Sequence, residues 1–138
     1  MMVNRWFLLI FVGAMLGLAV SSGCGGRKGP ARYDLSGTVT YDGKPVPIGY
    51  LNFTPDKAGG NSGPGTHANI ENGQYQTPTD RGPVGGPHIV TINGFDGVAQ
   101  GANPMGKRLF APLQVNVDLP KQNGTHDFVV PVGQSPGK

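Results

Sequence analysis

An all-β fold, a single seven-stranded antiparallel β-sandwich, is predicted for residues 33–132, and three observations predict it. Short runs of β-branched and aromatic residues recur along this part of the chain, each bounded by Gly, Pro, Asn or Asp. No stretch beyond residue 24 repeats its apolar residues at a helical period. The segment Leu113–Leu119 alternates without fault, apolar at odd positions and polar at even ones, as a strand with one wet face does.

A different kind of sequence precedes the strands. Arg5 is followed by the apolar run Trp6–Val20, then by Ser21, Ser22 and Gly23, and then by Cys24, the one cysteine of the 138 residues. A basic start, an apolar core shorter than the roughly twenty residues a membrane span needs, and a small-residue cleavage region are the parts of a secretory leader. Gly23-Cys24 resembles the cleavage site of bacterial lipoprotein signals, although Ser21 stands where an aliphatic residue is usual. Residues 1–23 are therefore expected to be a cleaved lipoprotein signal peptide, with Cys24 as the lipidated first residue of the mature chain. Residues 24–32 read as a basic, Gly-rich tether in which Arg27, Lys28 and Arg32 would lie near anionic head groups.

The strands follow in order. Tyr33–Tyr41 places Leu35, Val39 and Tyr41 on one face, and Asp42-Gly43 supplies turn chemistry. Lys44–Pro47 continues extended, and its two prolines confine it to an edge or a bend. Ile48–Thr54 puts Leu51 and Phe53 on one face, with Gly49 read as a bulge that redirects Ile48. Pro55–Thr66 reads as a flexible Gly-rich loop. His67–Glu71 and Gln74–Thr77 flank Asn72-Gly73, the strongest short-range hairpin signal, and offer Ala68, Ile70 and Tyr75 to the core. His88–Ile92 turns Val90 and Ile92 inward. After Leu113–Leu119, the segment His126–Val130 completes seven strands, and residues 133–138 form a polar tail. Seven short strands at this spacing argue for a sandwich or a barrel.

The combination Gly37-Thr-Val-Thr-Tyr-Asp-Gly-Lys-Pro45, Leu51–Pro55, Asn72-Gly-Gln-Tyr75 and Gly85–Ile92 resembles the carboxypeptidase regulatory-like, transthyretin-like β-sandwiches. It is similar in particular to the small lipoproteins of that type abundant in planctomycetes. The resemblance implies a domain that supports, tethers or binds and performs no catalysis. His88 departs from it, standing where such domains often carry an aromatic residue. A distant branch hydrolyses 5-hydroxyisourate with a C-terminal Tyr-Arg-Gly-Ser ending, which Gly133–Lys138 does not supply.

Direct searches for chemistry return little. Gly60–Pro64 misses the nucleophile elbow at Pro64, which leaves Ser62 without a catalytic frame. His67, His88 and His126 each stand at a predicted strand start, and none has a partner at local metal-ligand spacing. A formal net charge of +3 includes Arg5 of the leader, and the rest is scattered, so nucleic acid is not indicated. The longest irregular stretch, Asn93–Pro112, carries Phe95, Phe110, Lys107 and Arg108, and loops of this length are commonly functional or disordered. Lys107, Arg108 and Phe110 are the candidate partner-binding residues, as two cations beside an aromatic anchor.

The sequence thus predicts a non-enzymatic, lipid-anchored binding or structural module of the cell envelope, with no cofactor and no metal. Its partners would be membrane lipid through acylated Cys24 and an envelope protein or polysaccharide. The absence of Asp after Cys24 favours the outer membrane or cell surface. Two alternatives are a small hydrolase or metal-dependent enzyme using His67, His88 or His126, and a carbohydrate-binding module with Phe95 and Phe110 exposed on one face.

Overall fold

A computed structural model of the chain describes residues 29–133. The expected signal peptide, Cys24, Arg27, Lys28 and the end of the tail lie outside the described residues. Among those described there is no helix, and the regular elements are strands: β1 (Leu35–Tyr41), β2 (Lys44–Pro45), β3 (Ile48–Pro55), β4 (Thr66–Glu71), β5 (Gln74–Gln76), β6 (Gly86–Phe95), β7 (Leu113–Leu119), β8 (Gly124–Thr125) and β9 (Phe128–Val130). Seven of them form an antiparallel sheet in the order β2-β1-β5-β4-β3-β6-β7, curled into a half-barrel.

The expected last antiparallel strand, His126–Val130, shortens to β9 and is preceded by the separate two-residue β8, and both lie parallel to β1. Topology dictates the direction. Five antiparallel steps separate β1 from β7, so those two strands oppose each other. The short turn Pro120–Asn123 reverses the chain again, which aligns β8 with β1. A turn of this length reaches at most about 18 Å, so β7 and β1 meet through it only because the sheet curls its ends together.

Each antiparallel turn carries the chemistry its sequence announces. Asp42-Gly43 and Asn72-Gly73 hold positive φ at both residues (52° and 69°, 51° and 75°), which matches the twist of the strands they join. Lys44-Pro45 pairs with Tyr41 and Thr40 at the sheet edge, where a proline needs no donor. Gly49 forms no bulge: β3 pairs regularly with β4 and β6 along its length, and Ile48 faces outward opposite Phe95.

Strand alternation sends one set of side chains into the half-barrel. Leu35, Val39, Leu51, Phe53, Ile70 and Val90 are among the buried members, joined by Tyr75 and Phe128, whose rings pack with Phe53. Leu113, Val115 and Val117 of β7 are only partly covered, as an outermost strand's residues are. Thr77 prolongs the β1–β5 ladder by one step: its N–H donates to the Leu35 carbonyl, and its Oγ1 accepts from the Leu35 N–H at 2.9 Å.

The stretch Asn93–Pro112 is not irregular throughout. Strand β6 runs on to Phe95, Arg108 bridges back to Phe95, and backbone N–H groups of Asp96, Gly97 and Leu109 donate to the carbonyls of Lys107, Met105 and Gly94. This excursion returns Phe110 to the interior, where it is 0 % exposed. The inward positions of β6 run His88, Val90, Ile92, Gly94, and a Cβ at Gly94 would meet the Phe110 ring at 2.6 Å. The missing side chain is the slot the ring fills, against Tyr41 at 5.0 Å between centroids.

Phe110→Ala is expected to destabilise the chain by about 3–5 kcal/mol, the range for emptying a buried aromatic site. Lys107→Ala, on the exposed part of the same excursion, should stay within about 0.5 kcal/mol of the parent. Urea unfolding of both variants checks the contrast.

Candidate functional site

The outward side chains of the sheet form the surface on which the polar and charged groups collect. Residues directly opposite in adjacent antiparallel strands share a face. Reading the register across the sheet gives one row of Thr38, Gln74, Glu71, Ile48 and Phe95, continued by Arg108, and a neighbouring row containing Ser36, Gln76, Asn69, Tyr50 and Asn93. One end of this face is aromatic and cationic, and the other is polar and acidic.

At the first end, Arg108 is held rather than free. Its Nη1 donates to Asn93 Oδ1 at 2.9 Å, and its guanidinium carbon lies 5.0 Å from the centroid of Phe95, a cation–π contact. Phe95 in turn stacks on Tyr50 at 6.3 Å. Asn93 is buried although it points outward, because Arg108 covers it. A guanidinium has five N–H donors, and Asn93 takes one of them. The remaining donors of this half-buried, pre-positioned fork suit a carboxylate or phosphate.

The structure therefore divides the three candidate partner-binding residues. Arg108 and the exposed Lys107 remain on the surface, whereas Phe110 is removed from it by burial under Gly94. The aromatic partner of Arg108 is Phe95, with Tyr50 behind it. Phe95 and Phe110 do not form a shared exposed platform, since they lie on opposite sides of the sheet. Tyr50 joins this platform through its pairing with Asn93, a register that no local sequence pattern specifies.

At the other end, a groove of about 830 Å³ lies over β1, β5 and β4. Its lining includes Ser36, Thr38, Asn69, Gln74, Gln76 and Thr125, together with His67 and the carboxylates of Glu71 and Asp127. Asp127 Oδ1 accepts from the Thr38 N–H at 2.7 Å and from the Thr38 hydroxyl at 3.0 Å. These two donors hold its carboxyl below the ordinary aspartate range, so it is ionised throughout the neutral region. Tyr75 forms the groove's floor from the core side. Burial, assisted by the charge of Asp127, pushes its phenol well above the ordinary value, so the hydroxyl keeps its proton and donates to the His126 carbonyl at 2.6 Å.

The three histidines occupy three environments. His67 lies exposed on β4 in the groove, His126 packs with its ring tilted against Phe128 at 4.8 Å, and His88 is 1 % exposed on the inner face of β6. His88, expected at a strand start, is instead the third residue of β6 and a core residue. Its Nδ1 lies 2.9 Å from the Gly86 carbonyl, which can only accept, so Nδ1 carries the proton and Nε2 faces the interior without a partner. No group of three or more metal-ligating side chains is found among the described residues. Arg32, expected to face lipid, instead donates to the carbonyls of Gly82 and Arg81 at 2.7 Å each and to that of Gly65 at 3.2 Å. The Gly-rich loop is likewise tied down, with Asn61 Nδ2 donating to the carbonyls of Gly85 and Pro87.

No family model, curated protein or solved structure matches the chain, so its chemistry is read from this face alone.

Asp127→Asn tests the electrostatics of the groove wall. A carboxylate with a depressed folded-state pKa stabilises the fold above its unfolded-state value and loses that contribution as pH falls through the folded value. The variant should therefore melt below the parent near pH 7, and the gap should close below the ordinary aspartate value of 3.8, where the parent also takes up the proton. Thermal scans at about pH 7 and about pH 2.5 check this.

Proposed function

We propose that this chain is a lipid-anchored, non-enzymatic binding module of the cell envelope, and that the outer face of its sheet meets the partner. The anchor reading is supported by the apolar run Trp6–Val20 leading to Gly23-Cys24, the outer-membrane or cell-surface placement by the lack of Asp at residue 25. The finer fold reading, a transthyretin-like sandwich of the carboxypeptidase regulatory-like type, draws support from β1. Its first half pairs with β5 and β8, while its second half pairs with β2 and β9, the change of neighbours that a strand shared between two layers would make.

The observation that carries the binding reading is the fixed guanidinium of Arg108 on Phe95 and Tyr50. An arginine held in place before a partner arrives loses little side-chain freedom on binding, and its open donors select an anionic group. With Lys107 beside it, the platform fits a carboxylate-bearing envelope polymer. A catalytic use of His67, His88 or His126 has less support, because the three imidazoles face different surroundings.

Two outcomes are expected. Intact mass of the membrane-fraction protein from its native host should show loss of residues 1–23 and added acyl mass, both abolished in Cys24→Ala; an unacylated wild-type product would sink the anchor reading. Arg108→Gln should weaken binding of polygalacturonate by about tenfold, with parent affinity falling as salt rises. Calorimetry with the intact chain in detergent micelles measures it, and a variant that binds as the parent does would remove Arg108 from the site.

A further inference from the structure

We propose that the groove over β5 is a second ligand site, and that it takes a glycan carrying free amino groups. This goes beyond the arginine platform: it concerns the opposite end of the face and stands on different observations. The first is volume, since about 830 Å³ falls in the range of small-ligand sites.

The second observation is charge. The chain has more basic than acidic residues overall, yet the groove is lined by the carboxylates of Glu71 and Asp127 and by neither Lys nor Arg, His67 being the one basic side chain that reaches it. Asp127 is fixed by two bonds to one of its oxygens, Oδ1, and its Oδ2 is left to a ligand. Along the row Glu71–Gln74–Thr38, the strands carrying Glu71 and Thr38 stand roughly 10 Å apart, so ammonium groups on separate, non-adjacent units of one ligand can meet the two carboxylates.

The third observation is the remaining lining. Carboxamides at Asn69, Asn72, Gln74 and Gln76 and hydroxyls at Ser36, Thr38 and Thr125 both donate and accept, the pairing that sugar hydroxyls need. A peptide is the poorer fit. Strand β5 is paired on both sides, by β1 and β4, so the groove has no free backbone edge to extend. Of its apolar lining residues, Ala68 and Tyr75 are buried and Pro78 alone is exposed, which leaves a peptide side chain little to anchor on.

The test is calorimetry of the intact chain in micelles, at mildly acidic pH, with a glucosamine tetramer, its fully N-acetylated counterpart and an oligolysine peptide. The glucosamine tetramer should bind at least about tenfold more tightly than the acetylated one, since acetylation removes the charge. Glu71→Gln should weaken it by about tenfold, and Gln76→Ala by a smaller factor. Both side chains are exposed, and the melting temperature of each variant shows that the fold is intact. Equal affinity for the acetylated tetramer, equal or tighter binding of oligolysine, absence of binding, or a Glu71→Gln variant indistinguishable from the parent would each overturn the assignment. Arg108→Gln should leave glucosamine binding unchanged, so failure at the groove and failure at the arginine platform are separately visible.

Discussion

The close approach of β1 and the C-terminal segment at Gly37 is the constraint on which the rest of the molecule depends. A Cβ at Gly37 would overlap the His126 carbonyl oxygen. With glycine there, that oxygen comes near enough to receive the Tyr75 hydroxyl, the His126 N–H reaches the Ser36 carbonyl, and Asp127 turns its carboxylate onto Thr38. The parallel ladder is interrupted between β8 and β9, and the Asp127 side chain takes the place of a missing backbone acceptor. The same few atoms thus close the core at Tyr75 and Phe128 and build one wall of the groove.

Core and surface are divided by strand parity, and the division is strict enough to sort the aromatics by role. Phe53, Tyr75, Phe110 and Phe128 lie inward and hold the half-barrel together. Tyr50 and Phe95 lie outward, where they support a cation. Phe95 and Phe110 are close in sequence and opposite in function because the excursion between them carries the chain from one side of the sheet to the other.

Much of the fold was legible because β-strands announce themselves locally. The alternation of Leu113–Leu119, the Asn72-Gly73 turn and the inward pairs Leu51/Phe53 and Val90/Ile92 all depend on neighbours within a few residues. What escaped reading was non-local. The parallel direction of β8 and β9 follows from the order of the whole sheet, and the groove exists only where β1, β5, β4 and the C-terminal segment converge. One signal was available and missed. Continuing the inward set of β6 past Ile92 reaches Gly94, a vacancy on the core face that calls for a ring from elsewhere, and Phe110 is the near candidate in sequence.

The three carbonyls gathered by Arg32 have a mechanical consequence. A pull on the chain from its N-terminal side reaches Arg32 before it reaches β1, and it is shared among Gly65, Arg81 and Gly82 in two separate loops. Force that passes this staple enters β1 along its axis, between β5 and β8, so the bonds on both flanks bear it together in shear instead of parting one by one. The fold thus meets an N-terminal pull with its bonds loaded in parallel.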